Sequence, residues 1–198
     1  IGAIPYVLKD VNVPIYSTRQ TNALIDHKLE EHDMLKKVKR KVVKYGQHIN
    51  LGCFRVEFIR TNHSIQDAAA LAIYSPAGIV LHTGDFKVDY TPVFGAAIDL
   101  QRFGEIGKKG VLALLCDSTN AERPGFTDSE KSVGKTLDNI FSEHKNTRII
   151  IATFASNVDR VQQILSLRHI AEPTRRFGIS YAVFLEQKKT VDGGGWGS

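Results

Sequence analysis

A histidine and an aspartate are the residues of this sequence best placed to do chemistry. His63 follows the alternating segment CFRVEFIRT, and Asp85 follows Gly84 at the end of the apolar segment GIVLHT. Each comes where a strand would leave a sheet and enter a loop, so the two side chains could meet beside the strand ends. Imidazole and carboxylate are ligands that zinc and manganese accept. Such a pair is equally compatible with ordinary loop hydrogen bonds, and both interpretations stay open on this evidence.

The other histidines are weaker candidates for a metal site. His82 comes three residues before Asp85, and along a strand this odd spacing points the two side chains to opposite faces. The pattern favours packing or a supporting hydrogen bond for His82 over ligation. His27 and His32 are five residues apart on a predicted helix, which favours separate surface positions.

Two serine and lysine pairs raise the alternative of hydrolysis without a metal. Ser132 and Lys135, and likewise Ser142 and Lys145, are three residues apart on one face of a predicted helix. A serine beside a desolvated lysine can act as a nucleophile. The segment around both pairs is densely charged, which favours solvated side chains instead.

The charge of the chain favours anionic partners in general. The 198 residues carry a net charge of +5 at neutral pH. Apolar residues between Leu24 and Val42 recur at intervals that predict an amphipathic helix ending at Gly46. A solvated helix face is favoured over a phosphate-binding patch for the basic residues in this segment, which are Lys36, Lys37, Lys39, Arg40, Lys41 and Lys44.

The remaining composition narrows the class of protein. The sequence contains no apolar stretch of the roughly 18 residues that a membrane span needs, and no secretory signal is visible. We therefore expect a cytoplasmic protein without membrane partners. Cys53 and Cys116 each stand alone in an apolar segment, which predicts two buried thiols in a reducing compartment.

Strand and helix patterns alternate along the chain and predict a layered α/β protein. The strand patterns are NVPIYST, the half-buried CFRVEFIRT, the hairpin AAALAIYSP and GIVLHTGD, then GVLALLCDS and TRIIIATFAS, of which the last two are predicted to be buried. One helix is predicted to begin near Thr127 or Ser129, where a capping-box pattern occurs, and another covers NVDRVQQILSLRHI.

Several of these segments resemble a known family. The strings NHSIQDA, LHTGDFKVDYTP, LLCDSTNAERPGFTDSEKSVG and RIIIATFASNVDRVQQIL are similar, in colinear order, to ribonuclease J of the β-CASP branch of the metallo-β-lactamase fold. The opening IGAIPYVLKDVNVPIY also resembles the family segment that follows its second motif. The similarity extends from residue 1 to about residue 167, and the long DSTNAERPGFT string is more specific than any single histidine.

The resemblance implies roles for three residues. His63 matches a histidine that ligates one metal, and Asp85 matches an aspartate that bridges two metals. Asp117 matches an acidic residue beside the site that helps to order it. In such enzymes two zinc ions activate water for the hydrolysis of RNA phosphodiesters. Gln66 stands where the family usually has proline, which could loosen the loop after His63.

The departures from the family pattern predict an incomplete protein. The main His-x-His-x-Asp-His motif should lie before Ile1, and the later β-CASP motifs should follow the last predicted helix. We expect a partial metallo-β-lactamase-type αββα sandwich with the start of a β-CASP α/β domain. The predicted divisions are a metallo-β-lactamase-like core at 1–118, a β-CASP-like segment at 119–170 and a divergent tail at 171–198. Zinc binding is expected to be weak, partial or absent.

Three functions follow from this sequence as alternatives. The first is a truncated ribonuclease-J-like metallo-hydrolase, with RNA as its partner and with impaired activity. The second is a fragment with promiscuous ester or β-lactam hydrolase activity. The third is a non-catalytic remnant that forms a homo-oligomer to cover an exposed sheet edge.

Overall fold

A computed structural model describes residues 1–144, 147, 149–154 and 157–167 of the chain. These residues form a mixed α/β structure, as the sequence predicts. The helices are α1 (Ile4–Asp10), α2 (Arg19–Glu30), α3 (Leu100–Lys108), α4 (Glu130–Glu143) and α5 (Val158–Leu167). The strands are β1 (Ile15–Ser17), β2 (Arg40–Val42), β3 (His48–Leu51), β4 (Phe54–Arg60), β5 (Ala69–Ser75), β6 (Gly78–His82) and β7 (Ala113–Leu115).

The main sheet has five strands in the order β3-β4-β5-β6-β7. Strands β3 to β6 form an antiparallel meander, and β7 joins β6 in parallel, with Val80 opposite Ala113. A parallel neighbour requires a crossover connection, and α3 lies within it. Strands β1 and β2 form a separate parallel pair. The strand predicted around β4 and the hairpin predicted for β5 and β6 are confirmed.

Both faces of the five-stranded sheet carry apolar side chains. Helix α3 covers one face, where Ile106 is fully buried. The residues of this cluster are Ile59, Ala70, Ala72, Leu81 and Ile106. The cluster on the other face consists of Val43, Val56 and Phe58. A third cluster joins α1 and α2 and consists of Leu8, Ile25, Leu29 and Val38. Burial of this apolar surface is the main force that holds the elements together.

An ion pair between the partly exposed Arg102 and the buried Glu57 fixes α3 to the sheet. The Glu57 side chain is only 3% exposed, and its carboxylate accepts hydrogen bonds from Arg102 Nε at 2.7 Å and Nη2 at 2.9 Å. The Tyr74 hydroxyl donates a further hydrogen bond at 2.8 Å. Burial acts to raise the pKa of Glu57, but the hydrogen bonds from Arg102 and Tyr74 outweigh it and hold that pKa below its usual value. The pair therefore contributes to stability in its ionised form.

The amphipathic helix predicted to end at Gly46 is wrong beyond Glu30. Helix α2 stops there, and Asp33 adopts a left-handed conformation with φ of 55°. The Met34 N–H then bonds back to the carbonyl of Leu29 at 2.9 Å, which turns the chain away from the helix axis. The basic residues consequently lie in turns, in irregular segments and in β2 instead of along one helix face. The apolar residues of this segment had helical spacing in the sequence because Val38, which follows the turn, packs in the same apolar cluster as Ile25 and Leu29 of α2.

Two predicted strands are not buried among the described residues. Strand β7 was predicted to be covered on both faces, but Leu114 is 59% exposed and its neighbour Leu115 is 48% exposed. Residues 149–154 are not a strand, and Ile150 is 87% exposed. An apolar sequence indicates that a strand can be buried. Burial also requires another segment to pack against the strand, and the sequence of the strand does not identify that segment.

The buried environment predicted for the two cysteines is also wrong. Cys53 and Cys116 are both exposed free thiols. Cys53 lies in the tight turn between β3 and β4, next to Gly52 with φ of 61°, and Cys116 follows the exposed strand β7. Turns and strand ends of this kind reach the surface even when their sequence is apolar.

The later helices begin where the sequence predicts. Ser129 is the N-cap of α4, and its hydroxyl accepts a hydrogen bond from the Lys131 N–H at 3.3 Å. Helix α5 begins at Val158, and the last residues of its predicted segment, like the predicted tail at 171–198, lie outside the described residues. Among the helices described, none has the length and apolar character to cross a membrane.

Candidate functional site

His63 and Asp85 lie next to each other beside the ends of β4 and β6. His63 Nε2 is 3.8 Å from Asp85 Oδ2. The His63 side chain is 32% exposed and the Asp85 side chain 76% exposed, so both are open to solvent and to a ligand. The Ser64 hydroxyl is 3.3 Å from His63 Nε2. The structure therefore brings together the two residues that strand-end spacing singled out.

Asn62 joins the two loops that carry this pair. Its carbonyl accepts a hydrogen bond from the Lys87 N–H at 2.7 Å. Its side-chain oxygen accepts from the Ile98 N–H at 2.6 Å, and its side-chain nitrogen donates to the Ala96 carbonyl at 3.1 Å. All the polar groups of the Asn62 side chain are thus used between segments distant in sequence. Sequence reasoning missed this residue, because the partners of its side chain are 34 and 36 residues away in the sequence.

Gly84 allows the chain to turn sharply just before Asp85. It adopts φ of 61°, and a Cβ atom placed there would lie 3.1 Å from the Ala69 carbonyl oxygen. Side chains rarely tolerate this backbone conformation, and the neighbouring β5 backbone cannot easily move away. Glycine at this position therefore keeps the Asp85 loop close to Ala69, the first residue of β5.

Replacement of Gly84 by alanine should destabilise the chain by about 1–2 kcal/mol, because the left-handed conformation and the close carbonyl both oppose a Cβ atom. Urea unfolding followed by circular dichroism measures this loss. Gly46→Ala is the matched control, since Gly46 has φ of 74° but no atom within 4 Å of the added Cβ. Equal effects of the two substitutions would contradict a role for the Ala69 contact.

Asp117 orders the segment after Asp85. Its carboxylate accepts hydrogen bonds from the Thr119 hydroxyl at 2.7 Å, from the Thr119 N–H at 3.0 Å and from the Phe86 N–H at 3.4 Å. These bonds, with a smaller contribution from His63, hold the pKa of Asp117 below its usual value. Asp117 thus stays ionised beside the pair and connects the end of β7 to the Asp85 loop.

The other predicted candidates lie outside the His63 and Asp85 pair. His82 is exposed, and its Nδ1 accepts a hydrogen bond from the Gly84 N–H at 3.0 Å. This contact is of the supporting kind predicted for His82. His27 is exposed on α2, and the ring of His32 lies edge-on to Tyr6 with 5.3 Å between centroids.

Ser132 and Lys135, the pair that lies wholly within the described residues, have no hydrogen bond to each other. The Ser132 hydroxyl donates to the Ser129 carbonyl at 2.6 Å, and Lys135 is exposed. Ser142 is exposed as well, and Lys145 lies outside the described residues.

An open cavity of about 440 Å³ adjoins His63. Its wall contains the aromatic ring of Tyr45, the amide of Gln66 and charged groups of both signs, including Lys87 and Asp159. Arg60 lies over the Tyr45 ring at 5.0 Å from its centroid. A polar cavity of this size beside His63 leaves room for a substrate group next to that side chain.

The donor types at this site fit zinc, but their number does not. His63 and Asp85 offer imidazole nitrogen and carboxylate oxygen, which zinc accepts. No three histidine, cysteine, aspartate or glutamate side chains come together as a metal site within the described part of the chain. Zinc is normally held by about three or four protein ligands. These residues alone do not form a zinc site.

The fold and the site together define a mixed α/β protein with a polar centre on loops beside its main sheet. Its sequence is 51% identical to ribonuclease J of Synechocystis over 169 residues, which are 84% of this chain and 26% of that protein. It is 44% identical to ribonuclease J of Helicobacter pylori J99, covering 83% of this chain and 24% of that protein. The resemblance to the ribonuclease J family is confirmed, and the chain spans about a quarter of the length of these relatives.

The chain was also compared with solved structures and with models of protein families. A crystal structure of a protein of unknown function from Enterococcus faecalis V583 matches with a TM-score of 0.58 and 20% identity. The match covers 78% of this chain and 39% of that chain, and it supports a shared fold alone. No family model matches the sequence.

Proposed function

We propose that this chain is part of a ribonuclease-J-type hydrolase that cleaves phosphodiester bonds of RNA in the cytoplasm. Two observations support the proposal: identity of 44–51% to proteins named ribonuclease J, and a distance of 3.8 Å between His63 and Asp85. The distance is the observation that carries it, because it brings together residues remote in sequence. The fold proposed for the chain is the corresponding part of a metallo-β-lactamase αββα sandwich with the start of a β-CASP domain.

The proposal assigns a role to each of three side chains. His63 and Asp85 contribute to the ligand set of a zinc centre, and the further ligands come from additional chain such as the relatives possess. Zinc held by a full ligand set would supply Lewis-acid chemistry toward a phosphodiester. Asp117 accepts the Phe86 N–H and so holds the segment that follows Asp85.

A chimera provides the direct test of this function. The matching 169 residues of Synechocystis ribonuclease J are replaced by the corresponding residues of this chain. We expect RNA cleavage within roughly tenfold of the parent enzyme, and we expect chelation to abolish it. Cleavage of an end-labelled single-stranded RNA is the measurement. A folded chimera that cleaves no RNA, beside an active parent, would contradict the proposal.

The isolated chain should behave differently from the chimera. With two ligands it should bind zinc only weakly, and it should cleave RNA much more slowly. Elemental analysis after dialysis against zinc, together with the same RNA assay, measures both properties. Tight stoichiometric zinc binding by the isolated chain would show that the ligand set proposed above is wrong.

Self-association is a second candidate property, favoured by the exposed strand β7. Leu114 and Leu115 of β7 are exposed apolar side chains, and β7 pairs with no strand other than β6 among the described residues. Edges and patches of this kind promote pairing between chains. Light scattering on the purified chain should show a homo-oligomer that Leu114→Glu converts to monomer. A monomeric unmodified chain would exclude this candidate.

A further inference from the structure

Helix α4 is attached to the rest of the chain largely through polar contacts. None of its residues is fully buried. Glu130, in its first turn, accepts a hydrogen bond from Lys87 Nζ at 3.0 Å. Arg160 of α5 donates from Nη2 to both Glu130 oxygens, each at 2.9 Å. Because little apolar burial holds α4 in place, these ion pairs have an unusually large share in positioning it.

A second acidic side chain connects the same helix to the Asp85 loop. Asp89 is 3% exposed, and its carboxylate accepts the Glu130 N–H at 3.1 Å and the Thr91 N–H at 3.0 Å. Lys87 Nζ lies 3.4 Å from the same carboxylate. We refer to Lys87, Asp89, Glu130 and Arg160 as the Glu130 cluster. Its two cations and two anions compensate one another, so loss of one charge leaves a partner unpaired.

The helix pair also contacts the loop that follows His63. The Gln66 side-chain nitrogen donates to Asp159 in the first turn of α5. Helices α4 and α5 approach closely, since a Cβ atom on Gly134 would lie 3.2 Å from Gln163 Nε2. The loops that carry His63 and Asp85 are thus both bonded to one helix pair, and residues of both loops line the cavity that adjoins His63.

Glu130 is the central residue of this arrangement. It contacts Lys87 of the Asp85 loop and Arg160 of α5, and its backbone contacts Asp89. Arg160 Nε has no acceptor among the described residues, so Glu130 provides the anion that its guanidinium contacts. Burial acts to raise the pKa of Glu130, but the bonds from Arg160 and Lys87 outweigh it and keep that pKa below its usual value. The carboxylate is therefore ionised wherever both cations are present.

We propose that Glu130 is a positioning residue for the His63 and Asp85 pair. Through Lys87 it fixes the loop that carries Asp85, and through Arg160 it fixes α5, whose Asp159 holds the loop after His63. The geometry of the pair then depends on the docking of α4 and α5. The inference rests on the proposed function, but the docking of α4 and α5 can be measured without any enzymatic activity.

Hydrogen exchange with mass spectrometry tests the docking in the complete 198-residue chain. Glu130→Gln keeps the size of the side chain and removes its charge. We expect about tenfold faster exchange in peptides covering 61–68 and 83–90, with exchange in β4 and β5 unchanged. Glu31→Gln is the matched control, because it makes the same change in the exposed ion pair with Lys28 at the far end of α2. The control should leave both loops unchanged.

The proposal is tested by which peptides exchange faster in Glu130→Gln. Unchanged exchange in both loops would overturn the proposal, and so would an equal increase throughout β4 and β5, which indicates a loss of global stability. Glu130→Asp, which keeps the charge, should recover part of the protection. If Glu130→Gln does not fold, Lys87→Met replaces it, since it removes the Lys87 contact with Glu130 and leaves the Arg160 contact in place. It should speed exchange in 83–90 and not in 61–68, and unchanged exchange in 83–90 would overturn the proposal.

The chimera adds a readout that a purely structural residue would not change. There Glu130→Gln should lower kcat for RNA cleavage about tenfold and leave KM within about twofold, because positioning affects the reacting geometry more than binding. A folded variant with loosened loops and unchanged kcat would overturn the proposal. If the unmodified chimera is inactive, the proposed function fails, and the exchange measurement alone decides whether Glu130 fixes the two loops.

Discussion

Replacement of His63 by alanine in the ribonuclease J chimera is expected to lower kcat for RNA cleavage at least about 100-fold. Loss of residues that merely support a metal ligand commonly costs about 10–100-fold in metal affinity or activity, and loss of a ligand should lie at or beyond the upper end. A 100-fold decrease corresponds to about 2.7 kcal/mol of activation free energy. Because His63 is partly exposed at a strand end, its removal should have little effect on folding.

The control for this prediction is His27→Ala, which removes an exposed imidazole on α2. It should leave kcat within about twofold. Zinc content, measured by elemental analysis of each purified variant, should fall in His63→Ala and stay constant in His27→Ala. If His63→Ala retains full cleavage and full zinc content, His63 is not a ligand and the proposed assignment of the site fails.

Replacement of Arg102 by methionine is expected to give the largest loss of stability, about 3–5 kcal/mol at pH 7, because it leaves the Glu57 carboxylate buried without its cation. Methionine keeps much of the apolar stem of the side chain, so the loss reports mainly on the charge. Urea unfolding of the variant and the unmodified chain measures the difference. Glu105→Gln removes a more exposed partner of the same guanidinium and should cost less than about 1 kcal/mol.

The same comparison should depend on pH in a definite direction. The pKa of Glu57 is below its usual value in the folded chain. The stabilisation is therefore complete above the ordinary glutamate pKa and is lost as the pH falls through the lowered folded value. The difference between the unmodified chain and Arg102→Met should accordingly shrink below about pH 4. A difference that is constant from pH 7 to pH 3 would show that packing, not charge, accounts for the effect.

Local sequence patterns predict those elements whose hydrogen bonds and turns involve residues close together in the sequence. The hairpin of β5 and β6 and the N-cap of α4 at Ser129 depend on neighbouring residues, and both were predicted. The end of α2 was not, because its helical spacing continues in the sequence after Asp33 has turned the chain. The exposure of β7 was not predicted either, since burial depends on what the rest of the chain places over a strand.

In the candidate site, too, some features could be predicted from the sequence and others could not. The approach of His63 to Asp85 followed from two strand ends in one sheet, which period-2 patterns reveal. Asn62 and Glu130 were not identified, because their partners are remote: Asn62 bonds to Ile98, and Glu130 bonds to Lys87. Such contacts leave no spacing signal in a single sequence, so the pair could be predicted but the residues that hold it could not.

The parallel pairing of β6 with β7 has a consequence for the order of folding. Strands β3 to β6 pair with their sequence neighbours and can assemble early, whereas Val80 meets Ala113 only after the long connection through α3 has closed. Contacts of large sequence separation form slowly, because loop closure must precede them. Asp85 lies inside that connection. The contact between His63 and Asp85 should therefore form late in folding, after the meander of strands β3 to β6 has assembled.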